Sequence, residues 1–270
     1  MSEARTTHPQ EASAPAPKRR SLQAWVLPAT LIVGLAGWAA VAHWSGLPPF
    51  LLPSPGDVWS RLVLAVADGS LLRHTWVTLQ EVLAGLALGL TFATAVGYLV
   101  AKSRVAERLL APYIIASQSI PIVAIAPLLV IWFGPGRISK VLICALIVFF
   151  PVLVNTVVGV RSVPADLRDL MRSLRATRWQ TFLHLEAPAA MPVLFGGLKI
   201  GATLSVIGAV VGEFVGADEG LGFLVNIGRG LYDTALVFVA VLALVLLAMA
   251  LYALVAALER RVLVWREVRT

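Results

Sequence analysis

The feature that most limits what this chain can become is the length of its uncharged stretches. Residues 82–101, 109–136, 141–160 and 234–258 contain no Asp, Glu, Lys or Arg. A helix rises 1.5 Å per residue, so about 20 such residues cross a hydrocarbon layer of roughly 30 Å. A helix also satisfies its own backbone where no water is available. One such block is compatible with a buried core helix; four are not. Composition agrees, with 14% charged residues and 59% hydrophobic ones, where a soluble domain carries about 25% charged. The fold class expected is all-α: a polytopic membrane protein with six transmembrane helices.

The spans are expected near residues 25–43, 75–101, 109–136, 141–160, 189–211 and 234–258. The third contains Pro112, Pro121, Pro127 and Pro135 and should be kinked or broken near Pro121. Residues 1–20, rich in Ala, Ser, Pro and charge, read as a disordered tail. The apolar run after them is too long for a signal peptide and is read as a retained first span. Residues 21–270 then form one membrane domain, with no linker or internal repeat dividing them. Ser54, Pro55 and Asp57 have the order of a helix start. Trp59, Leu62, Val63 and Val66 follow at helical spacing, as for a helix lying in the membrane interface. Gly85, Gly89, Ala93 and Gly97 recur every four residues, a ridge that admits another helix closely. The segment 212–230, GEFVGADEGLGFLVNIGRG, is expected to be non-helical in part.

The net charge of +7 raises the question of nucleic acid, but the positive residues cluster at the ends of apolar blocks, which a membrane protein explains better. Six spans put both termini on one side. The two tails, the loop 102–108 and the loop 161–186 then share that side and hold 16 Lys and Arg, against five on the other: Arg61, Arg73, Arg137, Lys140 and Arg229. The positive-inside rule makes the richer side cytoplasmic. Lys199, inside the fifth span, is expected to snorkel.

The loop 161–186 is the anomaly. It carries Arg161, Asp166, Arg168, Asp169, Arg172, Arg175, Arg178 and Glu186, yet it is patterned. Pro164 and Asp166 suit a first helical turn, and Leu167, Leu170, Met171 and Leu174 form an apolar stripe. Thr177 and Gln180 have capping-box spacing, and Trp179, Phe182 and Leu183 give a second helix its apolar face. Pro188 and Pro192 are expected to break or bend the chain as it re-enters the bilayer. Two amphipathic helices outside the membrane need something to pack against, either anionic lipid headgroups or a cytoplasmic partner.

This loop resembles the cytoplasmic coupling loop of bacterial ABC-importer permeases, whose signature runs EAA, three residues, Gly, nine residues, then I-x-L-P. Asp169-Leu170-Met171 falls on EAA, Arg175 replaces the glycine, and Leu185, Ala187 and Pro188 fall on the end. The flanks LRATRWQTFLHLEAPAAMPVLFGGLKIG, LPSPGDVW, IPIVAIAPLLVIWFGPG and GEFVGADEGLG are similar to the nitrate/sulfonate/taurine-type branch. The resemblance covers roughly residues 47–260. It implies a homodimer of this chain, two cytoplasmic P-loop ATPase subunits docked on the coupling loop 161–188, an extracytoplasmic solute-binding protein, and an inner-membrane location. By this resemblance the ATPase-docking residues are Asp169, Arg172, Arg175, Arg178, Trp179 and Phe182.

Polar groups at membrane depth are functional candidates, and Gln118, Ser119, Asn155, Ser205 and Glu213 are expected to line or gate the pathway. Gly197, Gly201, Ser205, Ala209 and Glu213 repeat every four residues. The chain has no G-x-x-x-x-G-K-[ST], so ATP hydrolysis would belong to another subunit and this chain is not itself an enzyme. No cofactor or metal is expected: no H-E-x-x-H, no G-x-S-x-G and no carboxylate cluster inside a span stands out. Cys144 sits alone in an apolar block and reads as a buried thiol. The alternative function is an ion-coupled secondary transporter, which would carry paired ionisable residues at mid-membrane and internal repeats; neither is visible in the sequence.

Overall fold

A computed structural model describes residues 20–264, and side-chain surroundings from residue 29 onward. The expected disordered tail and the last six residues, with Arg266 and Arg269, lie outside the described residues. Those described are helical, with no strand among them. The helices are α1 (Arg20–Trp44), α2 (Pro55–Ala67), α3 (Ser70–Lys102), α4 (Arg104–Gln118), α5 (Ile122–Phe133), α6 (Arg137–Arg161), α7 (Ala165–Ser173), α8 (Arg178–Thr181), α9 (Ala187–Gly216), α10 (Leu221–Gly230) and α11 (Thr234–Val262).

Four runs are long and apolar enough to cross a bilayer: α3, α6, the run Arg178–Gly216, and α11. The pair α4 and α5 makes a fifth when taken together, bent by 96° at the break around Pro121. Pro121 supplies both the bend and the extended start of α5 (φ −64°, ψ 121°). The first expected span, 25–43, coincides with α1, whose stretch Ala29–Trp44 is a shorter apolar helix. Trp38 fastens α1, donating its indole N–H to Pro53 O at 3.1 Å and stacking on Phe238 of α11.

Helix α6 is the centre of the bundle, held between α3 and α9. The small-residue ridge of α3 makes the first contact: a Cβ on Gly89 would lie 2.7 Å from Ala145 O, and one on Gly97 2.8 Å from Thr156 Cβ. On the other face, a Cβ on Gly197 would lie 2.7 Å from Asn155 Cβ, and one on Gly208 2.8 Å from Cys144 Cα. Cys144 is fully buried where both neighbours approach.

The start of α2 is a complete capping box, with Ser54 N–H donating to Asp57 Oδ2 (2.9 Å) and Asp57 N–H donating to Ser54 Oγ (3.2 Å). Its inward residues are Val58 and Ala65, while Trp59, Val63 and Val66 face outward, as an interface-lying helix would place them.

The charged loop folds as α7, α8 and a single π turn, Phe182–Glu186, that runs straight into α9. The expected break at Pro188 and Pro192 does not occur. Ala187 N–H reaches back five residues to Phe182 O, and this widened turn comes just before Pro188, which lacks an N–H to give. The glycine-rich segment is also more helical than expected. Helix α9 continues to Gly216, and only residues 217–220 are non-helical before α10.

Candidate functional site

Two polar centres lie at opposite ends of the α3–α6–α9 core. Glu81 and Lys102 are 21 residues apart on α3, roughly 32 Å along the helix, so the two are separate.

At the charged-loop end, α7 stops in a Schellman motif. Ala176 N–H donates to Met171 O (3.0 Å) and Arg175 N–H to Arg172 O (2.9 Å). The motif forces Arg175 to φ +52°, the left-handed conformation for which the family signature has glycine. Helix α8 starts with the Thr177–Gln180 capping box. Trp179 stacks on Phe182 (centroids 5.5 Å), and Phe182 packs edge-on against Tyr98 of α3 (5.2 Å). Beneath this ladder Glu186, 1% exposed, accepts from Lys102 Nζ at 2.6 Å and from Tyr98 O–H at 3.0 Å. Arg161 grips Glu107 with two hydrogen bonds of 2.8 and 2.7 Å. A cavity of about 1300 Å³ opens between α3, the loop and the start of α9, lined by Thr91, Thr94, Tyr98, Lys102, Arg168 and Phe182 among others. Arg168 donates to Val160 O (2.8 Å), while its buried Nε finds no acceptor among the described residues.

Of the six docking candidates, Arg172, Arg178, Trp179 and Phe182 border this cavity, and Asp169 forms an exposed ion pair with Arg172 at 2.7 Å. Arg175 stands apart on the turn. Along α7, Leu167, Leu170 and Leu174 are exposed, an apolar stripe that none of the described residues covers.

At the far end, Glu213 of α9 is 1% exposed. Its Oε1 accepts the Thr78 hydroxyl (2.7 Å) and its Oε2 accepts Gly222 N–H (2.5 Å). Thr78 Oγ in turn accepts Leu221 N–H (2.8 Å), and His74 Nδ1 accepts Gly220 N–H (2.9 Å), which fixes that nitrogen as the bare one. The turn into α10 is therefore bound to α3 by its first backbone donors. Gly220, at φ +122°, lies so close to the Glu213 carboxylate that any side chain there would collide with it. Lys140, 4% exposed, sits 3.0 Å from Glu81 Oε1, and Glu81 is 1% exposed. Above the cluster Arg73 pairs with Glu219 and holds its carboxyl below the usual carboxylate range.

The five pathway candidates are not brought together. Gln118 and Ser119 are exposed at the α4–α5 break. Asn155 is half-buried against Gly197 and donates to Pro151 O (2.8 Å). Ser205 is fully buried and donates to Ala202 O of its own helix (2.8 Å). Glu213 belongs to the far-end cluster. Lys199 pairs with Glu259 of α11 at 2.6 Å. Sequence reasoning missed Tyr98, Lys102 and Glu186 at one end and His74, Thr78, Glu81 and Lys140 at the other. The sequence shows no paired ionisable residues at mid-membrane; near the α10 end of the core the structure pairs Glu81 with Lys140 at 3.0 Å, one turn from the Thr78 that bonds Glu213. Among the described residues no three His, Cys, Asp or Glu side chains are placed to hold a metal ion.

Comparison with known proteins fits this architecture. Residues 85–264 match the family described as binding-protein-dependent transport system inner membrane component. The chain is 48% identical over 254 residues to a riboflavin transport system permease protein of Chloroflexus aurantiacus, covering 92% of this chain and 95% of that one. It is 34% identical over 249 residues to a formylaminopyrimidine transport permease protein of Halalkalibacterium halodurans, covering 92% and 99%. Its fold is similar to that of the MetNI methionine ABC transporter in an inward-facing conformation, with a TM-score of 0.63 at 20% identity over 73% of this chain and 97% of that one. The family match spans more than half of the chain and the relatives align from end to end, so this chain belongs to the binding-protein-dependent inner-membrane permeases and is the membrane-spanning permease subunit of an ABC importer.

Proposed function

We propose that the importer carries an aromatic heterocyclic vitamin or a precursor of one, with a flavin as the first candidate. The observation that supports this substrate class is the near-half identity, along almost the whole chain, to a permease named for riboflavin. In this reading two copies of the chain pair as a homodimer with both termini and the charged loop in the cytoplasm. Two separate P-loop ATPase subunits dock on the loop, and an extracytoplasmic binding protein delivers the solute.

Docking is assigned to Asp169, Arg172, Arg175, Arg178, Trp179 and Phe182, together with the leucine stripe of α7. The exposure of Trp179 (67%) and of Leu167, Leu170 and Leu174 supports this, because apolar anchors ringed by charge are what a partner groove takes. Phe182 also passes loop motion to α3, through its contact with Tyr98. Gln118 and Ser119 face the pathway at the α4–α5 break. Asn155, Ser205 and Glu213 gate it through helix packing, since their side chains are turned into the bundle.

The test is uptake in a riboflavin-requiring bacterium that expresses this chain with the ATPase and binding protein encoded beside it. Riboflavin uptake that depends on ATP, and that taurine does not inhibit, is expected. Uptake of taurine and not riboflavin would overturn the substrate class. The docking assignment is tested by co-purification, where Trp179→Ala with Phe182→Ala should lose the ATPase; an intact complex would refute it.

A further inference from the structure

Glu81 poses a hydrogen-bonding problem that the transport reading does not use. Its carboxylate is 1% exposed, and neither oxygen receives a directed hydrogen bond. Lys140 Nζ, 3.0 Å from Oε1, supplies charge. Among the described residues no N–H or O–H donates to Oε2. A buried acceptor without a donor costs about 1–3 kcal/mol, more when it is charged. The group that α9 brings to this part of α3 is another carboxyl, that of Glu213, which Thr78, one turn before Glu81, bonds at 2.7 Å. Two ionised carboxylates cannot satisfy each other.

The surrounding charges do not resolve the conflict. From α6 come Lys140, the Arg137 guanidinium at longer range and the neutral Cys144 thiol. From α3 come Thr78, whose hydroxyl is already given to Glu213, and His74, whose Nδ1 is an acceptor. From α10 comes only the Gly222 N–H. In the turn above, Glu219 is taken by Arg73. Two buried carboxylates therefore share one buried ammonium, and an uncompensated charge in such a place is expensive.

We propose that Glu81 and Glu213 hold one proton between them at neutral pH, forming a carboxylic acid–carboxylate hydrogen bond that joins α3 to α9. The proton gives Glu81 the donor it lacks. It leaves one negative charge opposite Lys140. Glu213 keeps its bonds from Thr78 and Gly222, since each carboxyl oxygen has more than one lone pair. The site is thus a proton-binding site at the root of α10, and its ligand ties the turn 217–220 to the core. Loss of the proton at alkaline pH puts like charges in contact and loosens that joint. Access is slow, because every member of the pair is buried.

Infrared spectroscopy of the purified full chain in detergent tests this without any assumption about the solute. Wild-type protein at neutral pH should show the carbonyl band of a protonated carboxylic acid, shifted down in D2O and replaced by carboxylate absorption on titration to alkaline pH. Glu81→Gln keeps an oxygen for Lys140 and sets an N–H donor against an ionised Glu213, whose bonds from Thr78 and Gly222 are untouched, so it should lose the band and unfold at the wild-type temperature, whereas Glu81→Ala should unfold at a lower one. A wild-type spectrum without the band overturns the proposal even if the variants do not fold. A band that survives in Glu81→Gln, or a Glu81→Gln variant as unstable as Glu81→Ala, overturns it as well.

Discussion

Substituting Arg175 by glycine should make the loop more stable. The Schellman motif closing α7 requires φ > 0 at this position, and Arg175 sits at φ +52°. An L-residue with a Cβ pays about 1–2 kcal/mol there. Glycine removes that strain but loses about 0.5–1 kcal/mol through its freer unfolded state. The net gain is about 0.5–1 kcal/mol, or about a two- to fivefold rise in the closed population of the motif. Arg175 is exposed and in no ion pair among the described residues, so the substitution breaks no intramolecular contact that offsets this. The assay is amide hydrogen exchange of a peptide spanning residues 170–180 in the full chain. The Ala176 and Arg175 amides, which close the motif, should exchange about two- to fivefold more slowly in Arg175→Gly. In Arg175→Val, where a β-branched residue is forced to positive φ, they should exchange faster than in wild type. A glycine variant that exchanges as fast as wild type, or a valine variant that does not exchange faster, would refute the strain argument. The same variant separates two roles of Arg175: if its guanidinium also contacts the ATPase, Arg175→Gly will bind the ATPase more weakly although its loop is better ordered.

Three further outcomes follow from single contacts. Lys102→Met leaves the buried Glu186 with only the Tyr98 hydroxyl. The cost is about 1–3 kcal/mol, less than for a wholly buried pair because Lys102 is nearly half exposed, and a thermal unfolding scan that does not shift would rule it out. Gly208→Val places a Cβ 2.8 Å from the Cys144 backbone, where nothing can give way, so the variant should not accumulate as folded protein; normal yield in detergent would show that α6 and α9 can separate. In α2, hydrogen bonds from the Ser54 side chain and backbone hold the Asp57 carboxyl below the usual aspartate range. A depressed value in the folded state means that the cap contributes fully above about pH 4 and fails as pH falls through the folded-state value. Trp59 fluorescence should therefore be flat from neutral pH down to about pH 5 and change only in stronger acid, and Asp57→Asn should abolish that change.

How much of this was legible in the sequence depends on whether a feature is local. The helix start at Ser54, the capping box at Thr177, the bend at Pro121 and the stripe on α7 are set by residues within one or two turns of each other, and the structure has them where the spacing put them; that Ser54 and Asp57 close a full capping box is the structure's addition. The ridge Gly85–Gly89–Ala93–Gly97 was legible as a close-packing face, but not as a face for α6, because periodicity names a side of a helix and never its partner. The same limit hid the far-end cluster. Lys140 was tallied among the outer-loop charges because it lies three residues from Arg137, and Glu81 stands just before an uncharged window. Nothing in the sequence says that the two meet. Ser205 shows a local contact that residue type alone does not reveal: its hydroxyl is satisfied one turn back at Ala202 O. The π turn escaped because proline was read for what it removes, without allowing for a wider turn just before it.

The two polar centres and the seam between them bear on how a movement of the loop travels. Small residues on α3 and α9 press on opposite faces of α6, which leaves no room for sliding by less than a side chain. Glu186 fastens the start of the α9 run to α3 at the loop end, and Thr78, Glu81, Lys140 and Glu213 fasten α3, α6 and α9 at the other. Three helices packed backbone to backbone, with α3 and α9 joined at both ends, act as one body. A displacement imposed on Phe182 therefore tilts that body as a whole, and the softer parts of the chain must absorb the difference. Those parts are the 96° break between α4 and α5 and the turn 217–220, whose hold on α3 is the hydrogen-bonded cluster around Glu213. In the proposed transport cycle these two places are where the far end can yield, and the buried cluster is what holds the turn in the state described.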